Sequence, residues 1–122
     1  MLIKGLYEIS AFNHEGSQVM ATLTLNKDHH IFDGHFPGHP VLPGVCVIQM
    51  VKELTEKALE KNLVLSVASN VKFMAIINPE KNDSINFNLN LSEGDGEVRV
   101  KNSVSFEDTL ALKLNATFKI TD

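Results

Sequence analysis

A chain of 122 residues with 43% hydrophobic and 21% charged positions is long enough for one domain with a real core, is too short for two, and leaves little room for disordered tails. The formal net charge is −4, and Arg99 is the single arginine, so nothing resembles the clustered basic footprint of a nucleic-acid binder, and nucleic acid is not an expected partner. Cys46 is the single cysteine and cannot close an internal disulfide. No apolar run approaches the roughly 18 to 20 residues that span a bilayer, and the opening Met1-Leu2-Ile3-Lys4-Gly5 is not signal-like, so the expected setting is a reducing cytoplasm without membrane insertion.

Along the chain, Leu6 to Phe12 and Val19 to Leu25 read as two strands joined by a turn at Asn13-His14-Glu15-Gly16, where Asn and Gly supply turn conformations. Met20, Thr22 and Thr24 alternate with Val19, Ala21, Leu23 and Leu25, the pattern of a half-buried hairpin. Gly and Pro then concentrate between Gly34 and Gly44. From Val45 to Leu59 the apolar period lengthens to three or four, with Val45, Ile48, Val51 or Met50, Leu54, Ala58 and Leu59 on one side and Lys52, Glu53, Glu56, Lys57 and Glu60 on much of the other. That spacing predicts a helix. Its first half, Val45 to Val51, is apolar almost all round and is expected to be deeply buried. Strand signals return at Val64 to Ile77, Ser84 to Leu91, Val98 to Phe106 and Leu110 to Ile120, with turns at Asn78-Pro79, Ser92 to Gly96 and Glu107-Asp108. One long helix among about six mostly antiparallel strands makes an α+β domain over residues 1–122, with the sheet wrapped around the helix. Pairing of sheet edges between two copies would complete its cover.

The passage Asp33 to Val45 stands apart. Pro37, Pro40 and Pro43 fix the backbone while Gly34, Gly38 and Gly44 permit turns that other residues resist, so a loop that ought to move is stiff and holds His35 in place. Pro43-Gly44 lies at the helix start, where open amides and the positive end of the helix dipole attract an anion or a polarised carbonyl. A histidine base and an oxyanion site are thus neighbours in the chain.

Gly34 through Val45 reads Gly-His-Phe-Pro-Gly-His-Pro-Val-Leu-Pro-Gly-Val. It resembles, at every specified position, the Gly-His-Phe-Pro-Gly-x-Pro-Val-x-Pro-Gly-Val signature of the 3-hydroxyacyl-acyl carrier protein dehydratases of fatty-acid synthesis, the FabZ/FabA type. Outside the signature the likeness is one of layout. The resemblance implies the hot-dog fold, with an antiparallel sheet around one central helix. It also implies His35 as the base that removes the C2 proton of a 3-hydroxyacyl thioester, the amides of Gly44 and Val45 as the site that polarises the thioester carbonyl, and the Val41 carbonyl as the group that orients the histidine. Such donors strengthen as enolate charge grows on the oxygen they hold. No cofactor is implied. The implied partners are an acyl carrier protein or coenzyme A thioester and a second copy of the chain, because in the family each site takes its histidine from one subunit and its helix acid from the other.

One departure bears on activity. Where the family places a Glu or Asp that protonates the departing 3-hydroxyl, this chain has Gln49, which can hydrogen-bond the hydroxyl but cannot give it a proton. Glu53 stands one helical turn on, about 5.4 Å along the axis, on the same face; it acts through Gln49 or a water, or it belongs to a solvated face. His29, His30, His35 and His39 lie close in sequence, but no paired cysteine or HExxH pattern accompanies them, so no metal is expected and His29, His30 and His39 are read as solvent-facing. Cys46 is read as core, and His14 as a turn residue. Three functions follow: a dehydratase or related hydratase or isomerase, a non-catalytic hot-dog subunit that binds an acyl chain or partners an active paralogue, and, more weakly, a thioesterase.

Overall fold

The structure, a computed structural model, describes residues 4–34, 36 and 38–121. Its elements are β1 (Tyr7–Glu15), β2 (Gln18–Leu25), a 3-10 turn (His30–Phe32), α1 (Gly44–Leu59), β3 (Leu63–Phe73), β4 (Ser84–Gly94), β5 (Glu97–Phe106) and β6 (Thr109–Ile120). The strands form one sheet in the order β1-β2-β4-β5-β6-β3, with every neighbouring pair antiparallel.

Burial alternates residue by residue in β2, β4 and β5, so Val19, Leu23, Ile85, Phe87, Leu89, Val98, Val100 and Val104 share one face. Cys46, Val47, Met50, Val51 and Leu54 of α1 complete the same hydrophobic cluster. Each large side chain taken fully out of water there contributes roughly 1.5–3 kcal/mol. The helix begins directly after Pro43, whose missing N–H is no loss at a helix start. It ends at Glu60, which takes the left-handed φ of 54° and returns its N–H to the Glu56 carbonyl at 2.8 Å. The Glu56 carboxylate then accepts the Leu63 N–H at 2.9 Å and turns the chain into β3.

The hairpins are tighter than the expected ones. Asn13, His14 and Glu15 belong to β1, paired with Met20, Val19 and Gln18, because polar side chains cost nothing on exposed strand positions; the turn is Gly16-Ser17, with Gly16 at φ 58°. Likewise β4 runs to Gly94, leaving Asp95 and Gly96 at φ 55° and 75° as a two-residue turn with both residues left-handed. β3 stops at Phe73 rather than Ile77, since Met74 and Ala75 both donate to the Ala111 carbonyl, at 2.8 and 3.1 Å, and leave the ladder.

The first half of α1 is not buried all round. Val45 is 72% exposed, and Ile48 and Gln49 are half-buried. A second exposed apolar group lies on β3, an outer strand of the sheet, where Val64, Val67 and Phe73 are 53%, 51% and 61% exposed. Among the described residues no helix is long and apolar enough to cross a membrane.

Candidate active site

The loop before α1 is tied down from both ends. His29, expected in solvent, is buried: its Nδ1 accepts the Ile31 N–H at 3.0 Å, which leaves Nε2 to donate to the Lys4 carbonyl at 2.8 Å. It staples the segment before β1 to the start of the loop. Its neighbour His30 is exposed and stacks on it, ring centroids 4.4 Å apart, and His39 is exposed as expected. Phe36 and His39 exchange backbone hydrogen bonds of 3.0 and 2.8 Å across a turn in which Gly38 takes φ 77°. Leu42 donates to the Ile77 carbonyl at 2.9 Å, which fastens the loop's end to the segment after β3. His35, the expected base, and Pro37 lie outside the described residues.

At the helix start, Pro43 supplies no side-chain cap, and its carbonyl takes the Cys46 and Val47 amides at 3.0 and 3.3 Å. The amides of Gly44 and Val45 precede these first helical bonds and are the ones a helix leaves for an incoming acceptor. A Cβ on Gly44 would stand 2.7 Å from Cζ of Phe73, so glycine here admits the phenyl ring against the helix start. Beside it lies an apolar cavity of about 300 Å³, lined by Val41, Pro43, Gly44, Val47, Phe73 and Ile76, among others. Phe73 borders this cavity, whereas Met74, which has left the ladder and is 45% exposed, does not.

One turn into the helix, Gln49 and Glu53 are brought together: Nε2 of Gln49 donates to Oε2 of Glu53 at 2.9 Å. Oε1 of Glu53 accepts from the hydroxyl of Tyr7 on β1. Glu53 is therefore half-buried and engaged, not a residue of a solvated face. Burial, the hydrogen bond to Glu53 and that carboxylate's charge all push the Tyr7 phenol up, so it stays protonated and a donor. Tyr7 was missed in the sequence reading. The signal was there, because it is the chain's one tyrosine, it lies in the first strand pattern, and a buried phenol needs a partner. Cys46 is buried, and desolvation raises its thiol, which suits a packing role rather than a nucleophile. Among the described residues no three His, Cys, Asp or Glu side chains converge as a metal site.

Comparison with known proteins agrees with this architecture. Residues 11–113 match the family model described as ApeI-like, ApeI dehydratase. The 3-hydroxyacyl-acyl-carrier-protein dehydratase FabZ of Lactobacillus helveticus is 28% identical over 115 residues, covering 88% of this chain and 76% of that protein. The dehydratase heterocomplex ApeI:P from Xenorhabdus doucetiae superposes with a TM-score of 0.73 at 23% identity, covering 95% of this chain and 98% of that one. A hypothetical thioesterase protein with coenzyme A from Streptococcus pneumoniae gives 0.66 at 12%, covering 94% and 88%. At such identities these two structures carry the fold alone. The family match spans most of the chain, and the chain accordingly belongs to the ApeI-like dehydratases, FabZ-related proteins of the hot-dog fold.

Proposed function

We propose that the protein is a 3-hydroxyacyl thioester dehydratase of fatty-acid or related acyl-chain synthesis. The observation that carries the reading is the uncapped start of α1, where Gly44 lines an apolar cavity of about 300 Å³. An acyl chain fits the cavity, and its thioester carbonyl then lies at the amides. His35 removes the C2 proton, charge passes to the carbonyl oxygen held by Gly44 and Val45, and the C3–O bond breaks as the 3-hydroxyl takes up a proton and leaves as water. The Val41 carbonyl orients the histidine. Gln49 holds the hydroxyl, and Glu53 supplies its proton through an intervening water. No cofactor takes part. The carrier is an acyl carrier protein or coenzyme A, and the protein works in the cytoplasm as a single domain.

The working unit in this reading is at least a dimer. Two apolar groups, Val45 on α1 and Val64, Val67 and Phe73 on β3, are more exposed than a monomer needs, and an outer strand that keeps unpaired backbone groups is a template for another strand.

A second reading is favoured by Gln49 itself: without a carboxylate at that position, the chain serves as an acyl-binding subunit that partners an active paralogue. The heterocomplex of its ApeI:P neighbour is a precedent for such pairing. Incubating the purified protein with 3-hydroxyacyl thioesters separates these. Appearance of the enoyl product supports the dehydratase. Thioester binding with neither enoyl product nor free thiol leaves the subunit reading, and release of free thiol points to a thioesterase.

A further inference from the structure

We infer that Tyr7 is a positioning residue that sets which atom of Gln49 faces the substrate, acting through Glu53; the inference rests on the dehydratase reading above. A carboxylate has two oxygens in one plane. Tyr7 holds Oε1 from β1, and that fixes the plane so that Oε2 is presented to the residue one turn earlier on α1. Glu53 accepts on both oxygens, so Gln49 turns its donor end, Nε2, toward it. The Gln49 carboxamide is planar, with its oxygen and nitrogen on opposite sides. With Nε2 committed to Glu53 at 2.9 Å, the side turned away from Glu53 is led by Oε1, an acceptor.

An acceptor at that place selects an acyl chain that carries a donor. A 3-hydroxyl satisfies it, and a methylene at C3 leaves it unpaired in a half-buried site, at a cost on the order of 1 kcal/mol or more. The phenol is well suited to hold this arrangement. Tyr7 is only 6% exposed and its hydroxyl is pushed to stay protonated, so it does not change from donor to acceptor as conditions vary.

Tyr7→Phe keeps the buried ring and deletes the hydroxyl. In the His35→Ala background, which binds without turning over, the ratio of affinities for 3-hydroxybutyryl-coenzyme A over butyryl-coenzyme A should fall by about 3- to 10-fold on adding Tyr7→Phe, the loss of one uncharged hydrogen bond. In otherwise unaltered protein, kcat for 3-hydroxybutyryl-coenzyme A should fall more than KM rises. The Gln49 side-chain amide resonances, read by ¹⁵N NMR in the free protein, should move with Tyr7→Phe, while Phe12→Leu, a change of similar size elsewhere on β1, leaves them in place. Unmoved Gln49 resonances in Tyr7→Phe overturn the inference, as does an unchanged affinity ratio. If the unaltered protein binds and converts neither thioester, it is the dehydratase reading that fails, and the Gln49 resonances alone then decide whether Tyr7 orients that side chain.

Discussion

Gln49 and Glu53 form a hydrogen-bonded pair in which the nearer residue cannot donate a proton and the farther one can. Gln49→Glu should therefore raise dehydration, by up to the 10²- to 10⁴-fold typical of a general acid, as measured by enoyl formation at saturating thioester. Glu53→Gln should depress the unaltered protein yet matter much less in the Gln49→Glu background, because two residues that share one task are not additive. Equal losses in both backgrounds would remove Glu53 from the proton path. Tyr7 adds a pH dependence whose sign follows from its raised pKa. The folded state holds the phenol proton more tightly than the unfolded chain, so the contribution is complete below about pH 10, the ordinary phenol range, and is lost as pH rises toward the raised folded value. Chemical denaturation between pH 9 and 11 should show a steeper alkaline loss of stability for the unaltered protein than for Tyr7→Phe; parallel curves would contradict the buried bond. The signature Gly34 to Val45 and the Gln49 substitution were legible in the sequence because they are local. The Tyr7–Glu53 bond joins residues 46 positions apart, and no local pattern encodes such a meeting.

At the level of elements, α1 and the alternation of β2, β4 and β5 could be read from periodicity, since burial on one face imposes the period. Strand ends could not, because polar residues such as Asn13 and His14 suit an exposed strand as well as a turn. The sequence also offered no sign that the apolar start of α1 has an exposed side. An all-apolar helical stretch reads the same whether its cover comes from its own sheet or from another chain. Val45, at 72% exposure, and the outward apolar groups of β3 are where that difference lies. Val67→Lys on β3 should weaken self-association by placing a charge on the edge, detectable as a lower weight-average mass by sedimentation, while leaving the monomer's far-UV spectrum unchanged. An unaltered mass would locate the interface elsewhere. Phe73 meets Gly44 at the cavity mouth, so Phe73→Ala should shift chain-length preference toward longer thioesters; an unchanged preference profile would mean the ring does not bound the acyl chain.

For the whole molecule, the physical logic is that one helix cannot cover its sheet and shield its own start at once. The helix start at Gly44, the cavity of about 300 Å³ and the Gln49–Glu53–Tyr7 chain all border α1, while apolar side chains of α1 and β3 stay exposed. Light scattering at micromolar concentration should give at least twice the 13.5 kDa chain mass; a monomer would count against a site shared between subunits. The central claim is that this chain dehydrates 3-hydroxyacyl thioesters with His35 as base. Its most direct test is enoyl formation from a series of 3-hydroxyacyl thioesters by the unaltered protein and by His35→Ala. The account predicts measurable turnover that drops by about 10²-fold or more without the histidine, and turnover of equal rate in the two proteins would contradict it.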